Sequence, residues 1–150
     1  MRREKKITLD DRGTKLTFRI QEMPATQLMD WIAKAVLMLT QAGADVPAGT
    51  GLDEAVKYIA GRGFAAIAAL DYQKARPLMY ELLGCCWRQV GAAEERVTEE
   101  TADACISDVS TLFRLQLETF NLHFDFFQRA GRSSSPGGSN TEPRRTESGA

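Results

Sequence analysis

The chain has 150 residues, 43% of them hydrophobic and 26% charged, a size and balance that fit one folded domain with a modest core. Its formal net charge of -1 and pI of about 5.9 exclude a surface whose main work is to neutralise nucleic-acid phosphates. Three cysteines, two of them adjacent, form neither a disulfide framework nor the Cys-x-x-Cys pairs of a zinc site, and a single histidine excludes mechanisms built on a His pair or a His-rich metal site.

The first residues are charged. Arg2, Arg3, Lys5 and Lys6 read as a solubilising arm rather than a DNA-binding one. They lead into structure without an apolar h-region, so no secretory signal is expected. The most apolar stretch, Ile32 to Leu39, is interrupted by Lys34 and falls far short of the ~20 residues that span a bilayer. The expected location is therefore the cytoplasm. "KKITLDDRGTKLTFRI" follows as a predicted β-hairpin, with Ile7, Leu9, Leu16, Phe18 and Ile20 alternating with polar residues around Asp10, Asp11, Arg12 and Gly13. Two strands are marginal in water, so the hairpin must lie on helices or on another chain's sheet, and its edge is open to strand addition.

Pro24 suits the first position of a helix in which Leu28, Trp31, Ile32, Ala35, Val36 and Leu39 recur at three-and-four spacing; Met29 and Met38 widen the stripe and Gly43 stops it. "GADVPAGTG" reads as a loop. "LDEAVKYIA" predicts a short helix, broken by "GRG", and "FAAIAAL" a small buried one. "DYQKARPLMYELLGCCWRQV" reads as a further helix, with Pro77 at its start or at a kink and Gly84 within it at a cost of about 1 kcal/mol relative to alanine. Thr98 has the features of an N-cap, with Glu99 and Glu100 behind it, and Asp108 those of a second N-cap opening a helix to about Arg129. The residues after it, "GRSSSPGGSNTEPRRTESGA", carry no large apolar side chain and are expected to be disordered. The predicted fold is mainly α: one small helical domain over residues 1–129 with an N-terminal β-hairpin (about 5–20), and a disordered tail over 130–150.

At ~100° per residue, Phe113, Leu117, Phe120, Phe124 and Phe127 share one face of the last helix, while Leu112, Leu115, Leu122 and Phe126 share a second, roughly opposite. An ordinary surface helix has one apolar stripe. This one needs cover on two sides. A central core helix satisfies that requirement, and so does a helix with one face in the core and the other on a partner. The little chain left after Leu122 tilts the reading toward the partner. His123 sits between the faces as a structural or interface residue.

Several chemical readings fall away on context. "GRGFAA" (Gly61 to Ala66) fits G-x-G-x-x-A, but a dinucleotide fingerprint needs a strand before it and here a helix precedes, so it reads as a turn between helices. Glu94, Glu95, Glu99, Glu100 and Asp103 sit at a predicted helix start, where dipole complementation explains them. A Cys85 or Cys86 nucleophile has only His123 as a base, and all three cysteines read as small buried apolar residues. No catalytic, cofactor-binding or metal-ligating residue is expected, and the chain is not expected to be an enzyme.

The order of "ITLDDRGTKLTFRIQEMPA", "LMDWIAKAVLML", "LDYQKARPLMYELLGCC" and "VTEETADACISDVSTLFRLQLETFNLH" resembles the small tail assembly chaperones of long-tailed, siphophage-type bacteriophages, over roughly residues 5 to 127. The resemblance implies a helical, non-enzymatic protein that acts in the host cytoplasm. It would keep the tape measure protein soluble, recruit tail tube (major tail) subunits to it, and be absent from the finished virion. It also implies a longer form made by ribosomal frameshifting near the end of the short reading frame. Nucleic acid and membrane are not expected partners. The contact residues expected are Phe113, Phe120, Phe124 and Phe127, with Trp31 and Met38 as lesser candidates, since Phe supplies area and Met adapts to varied partners. An extra apolar face serves self-association as readily as a foreign partner. The alternative is a structural tail or connector protein retained in the virion; a small enzyme or nucleic-acid-binding regulator is a third reading.

Overall fold

The computed structural model describes residues 1–45 and 51–133, without the side chains of Leu52 and of residues 126–133. In chain order the elements are β1 (Glu4–Asp11), β2 (Thr14–Gln21), α1 (Ala25–Gln41), α2 (Leu52–Arg62), α3 (Phe64–Ala68), α4 (Tyr72–Leu83), β3 (Cys86–Val90), β4 (Ala93–Arg96), α5 (Ala102–Cys105) and α6 (Val109–Ser133). Residues 46–50 of the expected loop and the tail beyond Ser133 lie outside the described residues.

The first hairpin forms as its pattern requires. Asp11 pairs with Thr14, leaving Arg12 and Gly13 as a two-residue loop with φ of 52° and 87°, the paired positive angles of a type I′ turn. The Asp10 carboxylate accepts the Gly13 N–H at 2.8 Å and closes the loop. Leu9, Leu16, Phe18 and Ile20 face inward and are buried. α1 ends in a Schellman motif: Gly43, at φ 88°, donates to the Thr40 carbonyl, and Ala44 donates to that of Leu39. Pro24 stands one residue ahead of α1, where its carbonyl accepts the Leu28 N–H.

The mainly α expectation is corrected. The chain is 55% helix and 21% strand, an α+β mix with a four-stranded antiparallel sheet in the order β1-β2-β3-β4 and six helices among the described residues. The helix expected to run through "GCCWRQV" stops instead at Gly84, and Cys86–Val90 turns back to pair with β2, Ile20 opposite Cys86 and Phe18 opposite Arg88. Gly91, at φ 60°, starts the two-residue loop that returns β4 along β3. β4 is "AEER", four exposed residues without strand propensity of their own. What holds it is across the sheet. On the outer face the Trp87 ring lies between the guanidinium groups of Arg19 (4.4 Å) and Arg96 (5.4 Å), and Arg19 grips Glu94 with two nitrogens, at 3.0 and 2.8 Å. Two of the five acidic residues of the cluster, Glu94 and Glu95, thus belong to a strand rather than to a helix start.

The core lies between the inner face of this sheet and the helices, and α6 runs through it. β1 packs on one side of α6, and α2, α3 and α4 on others. Asp108 caps α6 as its sequence predicts, accepting the Ser110 N–H at 3.0 Å. At the other end α6 continues past Arg129 to Ser133. Among the described residues no helix is long and apolar enough to cross a membrane.

Candidate protein-binding groove

The two apolar faces expected on α6 exist, and earlier parts of the chain cover most of both. On the helical side Phe120 meets Phe124 at 4.5 Å between ring centroids, Phe64 at 5.7 Å and Trp31 at 6.2 Å, and Phe124 meets Trp31 at 5.8 Å. The Trp31 indole N–H donates to the Leu78 carbonyl. Phe120, Phe124 and Trp31 are fully buried within the monomer. They are therefore corrected from contact residues to core, because α1, α2 and α3 supply the cover that the sequence after Leu122 lacks. Met38 is half-buried against the same core. The side chain of Phe127 lies outside the described residues. Among the described members of the aromatic set Phe113 alone stays open, 49% exposed, with one edge on Phe64.

On the sheet side, Leu115, Thr119 and His123 are buried. His123 links three parts of the fold. Its Nε2 accepts the backbone N–H of Met23 at 2.8 Å, so that nitrogen is unprotonated, and Nδ1–H donates to the Thr119 carbonyl at 2.8 Å. Arg3 binds Glu22 and also donates to the His123 carbonyl. Burial pushes the imidazole below its ordinary 6.5, outweighing the Thr119 carbonyl and the Glu22 carboxylate, which favour the cation; Arg3 adds to the lowering. The unfolded chain therefore binds the proton first as pH falls. His123 contributes its full stability above about pH 6.5 and loses it as pH drops toward the folded value, with a slope of at most about 1.4 kcal/mol per pH unit. Urea unfolding at pH 7.5 and 5.5 tests this. The loss of stability on acidification should shrink in His123→Gln, which retains an acceptor for Met23; an unchanged loss would assign the effect to other groups.

The thiols are set up for packing. Cys86 sits beside the Thr119 hydroxyl at 3.1 Å, and burial pushes both Cys85 and Cys86 up to about 12, far from ionisation near neutral pH. Among the described residues no group of three His, Cys, Asp or Glu side chains is placed to hold a metal. "GRGFAA" is the turn from α2 to α3, with Gly63 at φ 76° between the two helices.

Among the described residues the surface carries a concave apolar feature. α4 and the first turns of α6 form a groove of about 280 Å³, lined by Ala68, Ala75, Met79, Leu83, Leu112 and Phe113, with Tyr72 and Val109 on its rims and Arg76, Tyr80 and Gln116 as polar or amphipathic edges. Tyr72 and Val109 are 69% and 77% exposed. Each is the first residue of its helix, directly after an aspartate whose carboxylate accepts the N–H two residues on, Asp71 from Gln73 and Asp108 from Ser110. Two capped helix starts therefore place an apolar side chain each over one channel. Of the groove residues the sequence reading singled out Phe113 and Leu112 alone. The α4 wall had a signal, since Tyr72, Ala75, Met79 and Leu83 form a stripe at three-and-four spacing beside the core stripe of Leu78 and Leu82. Such an arrangement has the shape and the apolar lining to take apolar side chains. No family model, curated protein or solved structure matches this chain.

Proposed function

We propose that the chain is a non-enzymatic tail assembly chaperone, acting in the host cytoplasm, that shields apolar helical segments of a tape measure protein in the α4–α6 groove and recruits tail tube subunits. The observation that carries this reading is the groove itself. It is open, apolar along its floor and edged by Tyr72, Arg76 and Gln116. An amphipathic helix laid in such a channel buries its apolar stripe and leaves its polar face in water. Phe113 and Met79 supply adaptable area for a client whose sequence varies along its length. The ordered resemblance of the sequence names the client. β1 lies at the edge of the sheet, the position from which a tail subunit strand would be added.

Co-expression with a tape measure protein, followed by pull-down and light-scattering mass, tests the proposal. The wild type is expected to give a soluble complex. Tyr72→Glu combined with Val109→Glu should weaken it by about tenfold or more, because each change removes apolar rim area and puts a charge over the channel. Both positions are exposed first residues of helices, where a carboxylate suits the dipole, so the variant should unfold as the wild type does. A complex that survives the double change would remove the groove from the reading. No complex with the wild type would remove the chaperone function.

A further inference from the structure

The exposed large apolar side chains of the described residues fall into few places. Tyr72, Val109 and Phe113 belong to the groove, Met29 and Leu37 lie on the outer face of α1, 47% and 58% exposed, and Met1 and Val90 stand singly at the chain start and the end of β3. Two scattered surface side chains would need no explanation. Their setting gives them one. Thr26, Met29, Ala33, Leu37 and Thr40 are all exposed, and at ~100° per residue they share an arc of about 80° along α1. Read from either end, the face runs threonine, large apolar, alanine, large apolar, threonine, at offsets of seven and four residues on each side of Ala33. The pattern is symmetric about its centre.

A face of this kind fits its own copy. In a two-fold contact residue i meets residue j and j meets i. With two α1 helices running in opposite directions and crossing at Ala33, Ala33 meets Ala33, Met29 meets Leu37, and Thr26 meets Thr40 at both ends. The small residue at the crossing lets the helices approach closely. The charges agree with the same arrangement. Asp30 and Lys34 are exposed on one flank of the stripe. A two-fold axis perpendicular to both helices sets that flank against the same flank of the copy. Asp30 lies three residues before the centre, and the copy's Lys34, running backward, lands one residue before it. The two are offset by two residues, or about 3 Å of helix rise, and the pair occurs twice. In the monomer Lys34 pairs with Glu81, at 3.4 Å between exposed atoms, a pairing worth little.

We infer that the outer face of α1 is a self-association surface, and that two copies of this chain form a reversible antiparallel dimer across Ala33. The inference is independent of the chaperone reading, since it concerns a different face and needs no client. One helix face per copy is a small interface, so the dimer is weak and concentration-dependent.

Sedimentation velocity of the full chain from micromolar to near-millimolar concentration tests it. A monomer–dimer equilibrium is expected, and Leu37→Glu should weaken it by about tenfold or more. Asp30→Lys should weaken dimerisation, and adding Lys34→Asp should restore it, a rescue that a nonspecific apolar contact would not show. Under mild oxidation Ala33→Cys should cross-link to its own copy. Met29→Cys alone should not, because the two sites lie eight residues apart along the helices, but it should cross-link to Leu37→Cys when the two variants are mixed. A chain that stays monomeric throughout overturns the inference, whatever else covers the face. So does a dimer indifferent to Leu37→Glu.

Discussion

Phe120→Ala is expected to cost about 3–5 kcal/mol of folding stability, a large share of the 5–15 kcal/mol typical of a domain. The ring is fully buried and touches Trp31, Phe64 and Phe124 at once, so its removal leaves a cavity walled by aromatic side chains from α1, α3 and α6. The walls are held by separate elements, which limits collapse into the gap and favours the upper part of the range. Phe113→Ala, seven residues away on the same helix, should cost about 1 kcal/mol, because its ring is half exposed and keeps one aromatic neighbour. Urea denaturation followed by tryptophan fluorescence measures both. Equal losses would mean that the two phenylalanines occupy similar environments and that the aromatic cluster is not the centre of the core. The contrast matters for function as well. A Phe120 or Phe124 variant that loses a partner would first have lost its fold, whereas Tyr72, Val109 and Phe113 are the positions that test the proposed binding.

The contrast between Phe113 and Phe120 also marks how far the sequence could be read. The heptad-like spacing of α6 announced two apolar faces and could not say which was covered, since the cover comes from Phe64 and Trp31, tens of residues earlier. Local signals were reliable where local chemistry decides the structure. The first turn forms where Gly13 marks it, though shorter than expected because Asp10 and Asp11 pair with Lys15 and Thr14, and the Gly43 stop after α1 and the Asp108 cap form as their residue types require. The second hairpin was not legible because nothing local makes it a strand. "AEER" has helical propensity, and its pairing is decided by Arg19 and by the Trp87 ring across the sheet. Cys86 shows the same effect. Small and apolar, it suits a helix as well as a strand, and the backbone of Ile20 settles the matter. The groove was half legible, since each wall has its own apolar stripe, while their meeting depends on where α4 and α6 begin in space.

Asp11→Ala should cost about 2–4 kcal/mol, although the residue occupies a hairpin end where substitutions are usually mild. Its carboxylate turns inward, 6% exposed, and accepts the backbone N–H groups of Ser107 at 2.9 Å and Asp108 at 2.8 Å together with the Thr111 hydroxyl at 3.1 Å. These donors open α6, so the acid at the tip of the first hairpin both fixes the start of α6 against the sheet and complements that helix's dipole. Burial alone would raise its pKa. The Ser107 and Asp108 amides, the Thr111 hydroxyl and the Arg12 charge outweigh burial and hold the carboxyl below its ordinary 3.8. The stabilisation is therefore complete above about pH 3.8 and is lost as pH falls through the folded value. Asp11→Asn keeps the shape and one good acceptor but not the charge. Against wild type it should be less stable at pH 7 and converge toward it in acid, below the point where the wild-type carboxyl protonates. A stability difference that holds constant from pH 7 to the acid transition would show that the hydrogen-bond geometry, and not the charge, ties the hairpin to α6.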